Sequence, residues 1–215
     1  MNSPRAGRVR GVTSADNAQR EEVEWLLAPL DLEEGAVVIE VPCLSRTKRQ
    51  VIGSVFPSHE LLAMVRVLTQ HMIPTCAVGL GTESGWEDFN QALSRFRTPL
   101  ACLLAAPDCT AEDLLATCRL VRQRKPRACI AVLGVPAASQ AEWFLREGGA
   151  DMVLGHDGTD ALDSLYSYLR RETTDLPMGI TFAGSSGQLV ATPARLIGRG
   201  TAPEAEPRRK VPFAS

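Results

Sequence analysis

Five short apolar runs, each followed by a stretch with helical periodicity, constrain this chain more than any other feature. They are AVVIEVP (36–42), PTCAVGL (74–80), PLACLLAA (99–106), RACIAVLG (127–134) and ADMVLG (150–155). A strand with one wet face alternates polar and apolar residues. A continuous run means burial on both faces, as in a parallel sheet. Between the runs, apolar residues recur at helical spacing. Leu61, Leu62, Val65 and Leu68 form one stripe in 59–71, and Phe89, Ala92, Leu93 and Phe96 form another. Leu114, Leu115, Cys118 and Val121 follow, then Phe144 and Leu145, then Leu162, Leu165, Tyr166 and Leu169. Ser84 with Glu87, Thr110 with Asp113, and Ser139 with Glu142 read as capping boxes, and Thr159 reads as the cap of the last helix. Five strands alternating with capped helices predict an α/β fold with a doubly wound five-stranded parallel sheet, Rossmann-like or flavodoxin-like.

The rest of the chain arranges itself around that unit. Residues 1–14, rich in Gly, Ser, Pro and Arg, read as a disordered tail. A helix carrying Val23, Leu26, Leu27 and Leu30 follows and opens a domain expected over 15–175. Residues 179–193, GITFAGSSGQLVATP, alternate around a Gly-Ser-Ser-Gly turn and predict a C-terminal β-hairpin, within an extension at 176–197. Residues 198–215 read as a linker or tail. The first strand–helix unit is longer than the others, and its excess lies at 43–57, where a long loop in a compact domain points to function.

Composition narrows the function classes. Apolar residues make up 45% of the chain, enough for a real core, and the net charge of -2 gives no pull toward nucleic acid or an anionic membrane. No apolar run reaches the roughly 20 residues that span a bilayer. The N-terminus has no apolar core of a secretory signal, although its Arg-rich, acid-poor character also fits a transit peptide. A cytoplasmic protein is the expectation. Six cysteines, Cys43, Cys76, Cys102, Cys109, Cys118 and Cys129, show no metal-ligand spacing and read as reduced thiols. His59 and His71 read as surface or cap residues. No G-x-S-x-G elbow, H-E-x-x-H or Walker A motif is present, and GLGTESG (79–85) lacks the dinucleotide spacing. The basic clusters Arg46 to Arg49 and Arg208 to Lys210 read as solvated loops. No catalytic constellation or metal site emerges.

Ligands of open α/β sheets bind outside the carboxyl ends of the strands, where loop amides and helix N-termini favour anions. Topology therefore selects four loops. Cys43, Leu44, Ser45 and Arg46 follow the first strand; Pro107, Asp108, Cys109 and Thr110 follow the third. Gly134, Val135, Pro136 and Ala137 follow the fourth; Gly155, His156, Asp157, Gly158 and Thr159 follow the fifth.

The order of these segments resembles the N-terminal cobalamin-binding domain of the cobalamin-dependent radical S-adenosylmethionine enzymes. VVIEVPCLSR is similar to that family's opening strand and Pro-containing loop, and FPSHELLAMVRVLTQHMIP to the helix after it. LGVPAAS stands where the family has a Gly-Gly-Pro-His-Ala-Thr-like loop, and ADMVLGHDGTDAL where it has Asp-x-Val-Val-x-Gly-Glu-Gly-Glu. GITFAGSSGQLVATPAR and KVPFAS resemble its Thr-Pro hairpin and following linker. The resemblance spans roughly 36–215 and implies cobalamin held by the four loops above. It also implies a radical S-adenosylmethionine enzyme, or another protein, as partner. Val135 replaces the loop's second Gly, Ala137 its His, and His156 to Thr159 its Glu-x-Glu. There is no Asp-x-His-x-x-Gly, so no lower-ligand histidine is expected, with His156 the one candidate exception. The family's cluster-bearing radical domain would begin where this chain ends, so the expectation is a non-catalytic domain.

A second family competes. TAEDLLATCRLVRQRKPRACIAVLG and EGGADMVL also resemble a response-regulator receiver. Strand one offers only Glu40 of the receiver's acidic pair, strand three ends Ala105-Ala106, and His156 stands near the place of its lysine. That reading implies a pseudo-receiver interaction module without phosphorylation or cofactor.

Overall fold

A computed structural model describes residues 14–30, 34–44, 58–155 and 158–193. The expectations for residues 1–13, for the 45–57 loop with its basic cluster, and for 194–215 lie outside the described residues. The elements in chain order are α1 (Ser14–Leu27), β1 (Ala36–Val41), α2 (His59–Gln70), β2 (Thr75–Gly79), α3 (Gly85–Arg95), β3 (Leu100–Ala105) and α4 (Ala111–Arg124). They continue as β4 (Cys129–Leu133), α5 (Val135–Ser139), α6 (Ala141–Arg146), β5 (Met152–Leu154), α7 (Gly158–Leu169), β6 (Ile180–Ala183) and β7 (Leu189–Ala191). The seven strands among the described residues form one sheet in the order β2-β1-β3-β4-β5-β6-β7. The first five pair in parallel, and β6 and β7 are antiparallel.

The sheet is therefore wider than the five strands expected from sequence. The hairpin is not an appendage beside it: β6 hydrogen-bonds to β5 and continues the sheet. The reason is apolar. Ile180 and Phe182 are buried in the same cluster as Met152 and Leu154. The pleat sorts the central strands into two cores. Ala36, Val38, Leu100, Cys102, Cys129 and Ala131 face a layer with α1, α2 and α7. Val37, Ile39, Ala101, Leu103, Ile130 and Val132 face the layer holding α3, α4 and the short α5 and α6. No helix among the described residues is long and apolar enough to cross a membrane.

The helix starts follow the sequence only in part. The Thr110–Asp113 box forms in full. Ser84 does not cap α3, because its αR backbone turns its hydroxyl away to donate to Asp88 at 2.6 Å. Ser139 does not cap either. Pro136 stands in a first helical turn that begins directly after β4, so Ser139 ends α5, and Gln140 precedes α6 without a side-chain cap bond. Thr159 lies inside α7, which opens one residue earlier at Gly158. His71 is the C-cap of α2 but not a surface residue. It is buried, its Nε2 lies 2.9 Å from Asp163 Oδ1, and its ring stacks on Tyr166, joining α2 to α7.

The hairpin's place in the core yields a stability prediction. Phe182→Ala removes a fully buried ring from the layer under α7. It should lower unfolding free energy by about 3–5 kcal/mol in a urea titration. A loss below about 1 kcal/mol would mean that the hairpin is only loosely attached.

Candidate functional site at the carboxyl edge of the sheet

β1 and β3 are neighbours, with β2 beyond one and β4 beyond the other. Strand order reverses there, and the carboxyl ends on either side of that point form the expected crevice. Val41 C=O accepts the Ala106 N–H at 2.9 Å, which joins the two strand ends. One carboxylate then ties their loops together. Asp113, buried in the first turn of α4, accepts the Leu44 N–H on Oδ1 at 3.0 Å. Its Oδ2 accepts the Thr110 N–H at 3.0 Å and the Thr110 hydroxyl at 2.7 Å. Glu40, on β1, accepts the Ser58 N–H at 3.4 Å. The residues just before and just after the 45–57 segment are thus each held by an acid of the folded core.

The other half of the edge is built from small residues. Gly134 has φ +103, and a Cβ there would lie 2.8 Å from the Ala105 methyl. Gly158 lets α7 approach β4, since a Cβ there would lie 2.3 Å from Leu133 Cδ2. Gly155 donates its N–H to Gly179 C=O at 2.8 Å and has space beyond it. Ala105, Ala106, Gly134, Gly155 and Gly158 are all half-buried, and none of these five carries a side chain larger than a methyl.

The predicted residues divide accordingly. Cys43 and Leu44 are half-buried on the first loop, Pro107, Asp108 and Thr110 are exposed on the third-strand loop, and Asp113 brings the two loops together. Gly134, Gly155, Gly158 and Thr159 lie along the rim. Val135 and Pro136 form the first turn of α5. Ala137 and Cys109 point into the core between the sheet and α4. The Cys109 thiol is pushed up to about 12, chiefly by burial and then by Asp113, Asp108 and Cys43. It is therefore not a thiolate at neutral pH. Ser45, Arg46, His156 and Asp157 lie outside the described residues. Sequence reasoning named Asp113 as a cap and missed its bond to Leu44, 69 residues away, for which no local signal exists. It also missed Ala105 as the floor beneath Gly134.

The N-terminus of α4 is already occupied by the Asp113 carboxylate, so an anion gains little at the β1–β3 crevice. Helix α7, beside Gly155, likewise carries an acid, Asp160, in its first turn. Among the described residues no three His, Cys, Asp or Glu side chains converge as a metal site.

No family model matches the chain, and no curated protein matches it. Solved structures share its fold. One is the cobalamin-dependent S-adenosylmethionine radical enzyme OxsB with aqua-cobalamin bound, which matches with TM-score 0.57 and 16% identity. The match covers 77% of this chain and 23% of OxsB. Another is the radical S-adenosylmethionine methyltransferase TsrM from Kitasatospora setae, with cobalamin and a 4Fe-4S cluster bound. It matches with TM-score 0.55 and 11% identity over 76% of this chain and 29% of that one. The chain thus spans less than a third of either enzyme, and at these identities the likeness is one of fold.

The Asp113 bridge is directly testable. Asp113→Ala leaves the Leu44 and Thr110 amides without their acceptor and removes half of the capping box. It should cost about 1–3 kcal/mol in urea unfolding. Amide exchange at Leu44 should accelerate strongly while β4 stays protected; unchanged exchange at Leu44 would contradict the bridge.

Proposed function

We propose that this chain is a cobalamin-binding-type domain that holds the cofactor for, or derives from, a radical S-adenosylmethionine methyltransferase and does no chemistry alone. The observation that carries the reading is the fold shared with OxsB and TsrM, each solved with cobalamin bound. The five parallel strands in the order β2-β1-β3-β4-β5, with helices on both faces, support a doubly wound, Rossmann-like assignment. The residues present fit the group. A corrin is a wide ring edged by amides, with a phosphate in its nucleotide tail, and it needs close approach to backbone donors. The rim from Ala105 to Gly158 offers that approach, and the Asp113 carboxylate disfavours a phosphate at the start of α4. When bound, cobalamin would supply a cobalt centre able to carry a methyl group. The protein's share would be to seat and orient it, with Gly134, Gly155, Gly158 and Thr159 beneath it and Cys43, Leu44, Pro107, Asp108 and Thr110 on the flank. Ser45, Arg46, His156 and Asp157 complete the set by their place in the sequence. The radical chemistry would belong to a partner in the same cytoplasmic compartment.

Mixing the pure protein with hydroxocobalamin, desalting, and reading the visible spectrum tests this. Retained colour at one cofactor per chain is the expected result. Gly155→Leu adds a side chain at the rim glycine where a Cβ meets only an ordinary contact, the Gly179 carbonyl oxygen at 3.4 Å, and should abolish retention while leaving the unfolding midpoint nearly unchanged. Gly134 is unsuitable for this purpose, because its φ and the Ala105 methyl make any side chain a folding defect. Colourless wild-type protein would reject cofactor binding and leave the pseudo-receiver interaction module.

A further inference from the structure

β2 forms one edge of the sheet, bonded to β1 on its inner side. Ala36 donates to Pro74 C=O, and Leu80 donates to Glu40 C=O. Backbone direction alternates along a strand, so Thr75, Ala77 and Gly79 turn their N–H and C=O groups outward. Of these, the Gly79 C=O is taken by Thr82, through its N–H at 3.2 Å and its hydroxyl at 2.9 Å. Beside the edge, β2 and α3 enclose a cavity of about 670 Å³, whose lining includes Cys76, Ala77, Asp88, Gln91 and Arg95. Arg95 Nη1 lies 3.5 Å from Cys76 Sγ and so sits over the beginning of β2. Asp88 lies two turns earlier on the same helix, about 10 Å along its axis, and so over the strand's end. Asp88, Gln91 and Arg95 are all exposed.

We propose that a second copy of this chain docks at this edge, the two β2 strands pairing antiparallel about a two-fold axis through Ala77. Each Ala77 would exchange both backbone bonds with its counterpart, and each Gly79 N–H would donate to the Thr75 C=O of the other copy. The reciprocal bond, from Thr75 N–H to Gly79 C=O, would have to share that carbonyl with Thr82, which already donates to it. The same axis reverses α3, so Asp88 of each copy meets Arg95 of the other, with Gln91 against Gln91 at the centre. A two-fold interface uses one patch twice and must complement itself. An acid at one end of a helical stripe and a base at the other, centred on the strand's midpoint, meets that condition. Two like charges would not. Both groups have capacity to spare: the Asp88 carboxylate accepts the Ser84 hydroxyl on Oδ2, leaving Oδ1, and a guanidinium carries five donors. An extended peptide from another protein could also use the free edge, but it would not require the mirrored charges. The dimer does not rest on the cofactor reading, since β2 lies outside the β3–β5 rim.

Sedimentation equilibrium of the full chain from about 10 to about 500 µM tests the proposal, because an interface of one strand and one helix per copy calls for micromolar affinity. The wild type should approach twice the chain mass. Asp88→Arg and Arg95→Asp should each be monomeric through like-charge contact, and the double swap should dimerise again. Ala77→Pro removes an outward N–H without touching the β1 ladder and should also be monomeric. Circular dichroism confirms that each variant is folded. A wild type that is monomeric throughout overturns the proposal, and so does a dimer that survives both Ala77→Pro and the single reversals.

Discussion

Burial of the central strands on both faces is the constraint from which the rest of this molecule follows. Ala36 to Ile39, Ala101 to Leu103 and Ile130 to Val132 have no measurable exposure on either side of the sheet. Each large side chain so placed contributes about 1.5–3 kcal/mol relative to an exposed one. That gain exists only if helices cover both faces. The chain must therefore cross from strand to helix repeatedly, and parallel pairing makes every such crossing leave from the same edge. Loops drawn from four distant parts of the sequence gather there as a consequence of core burial.

The character of that edge is set by packing before any ligand is considered. Gly134 is glycine because β4 must turn against the Ala105 methyl with a positive φ, and Gly158 because α7 starts against Leu133. Both demands come from the fold, and together they place glycines at two of the strand ends. Asp113 acts in the opposite sense on the neighbouring crevice. It closes the gap between the β1 and β3 loops with its own carboxylate and fills the anion position of α4. An edge of this kind follows from structural requirements, which is why it carries few of the side-chain motifs by which catalytic sites are recognised.

That origin explains what could be read from the sequence. The five parallel strands were legible because two-sided burial writes itself as uninterrupted apolar runs. The hairpin at 179–193 was legible as a hairpin because Gly-Ser-Ser-Gly interrupts an alternating segment. Its membership of the sheet was not, since nothing local says that Ile180 and Phe182 meet Met152 and Leu154. The Thr110–Asp113 box formed as read, whereas Ser84 and Ser139 matched the same pattern without capping. A capping motif reports local competence, and Pro136 and the αR backbone of Ser84 decided the outcome at those two places. Of the loop positions selected by topology, Val135 to Ala137 open α5 and Gly158 and Thr159 open α7, and Ala137 and Cys109 turn inward because a position after a strand does not specify a side-chain direction.

The two ends of the sheet are treated differently, and the contrast carries information about how the chain meets its surroundings. A strand at an edge exposes backbone groups that invite pairing unless something covers or disfavours it. At the β7 end α1 provides the cover. Gln19 donates to the Ala191 carbonyl at 2.9 Å, and Glu22 accepts the Ser185 N–H and hydroxyl at 2.6 and 2.7 Å. Those bonds hold the Glu22 carboxyl below its usual range. A helix drawn from the far end of the sequence thereby binds to the last strand and turn. At the β2 end the described residues supply no such cover. Ala77 is exposed, Cys76 is half-buried, and the nearest charges, Asp88 and Arg95, stand apart along α3 rather than barring the edge as a block of like charge would. Two α1 side chains thus tie down the last strand and its turn, while among the described residues no helix or loop side chain bonds to the outward backbone of Thr75 or Ala77 on β2.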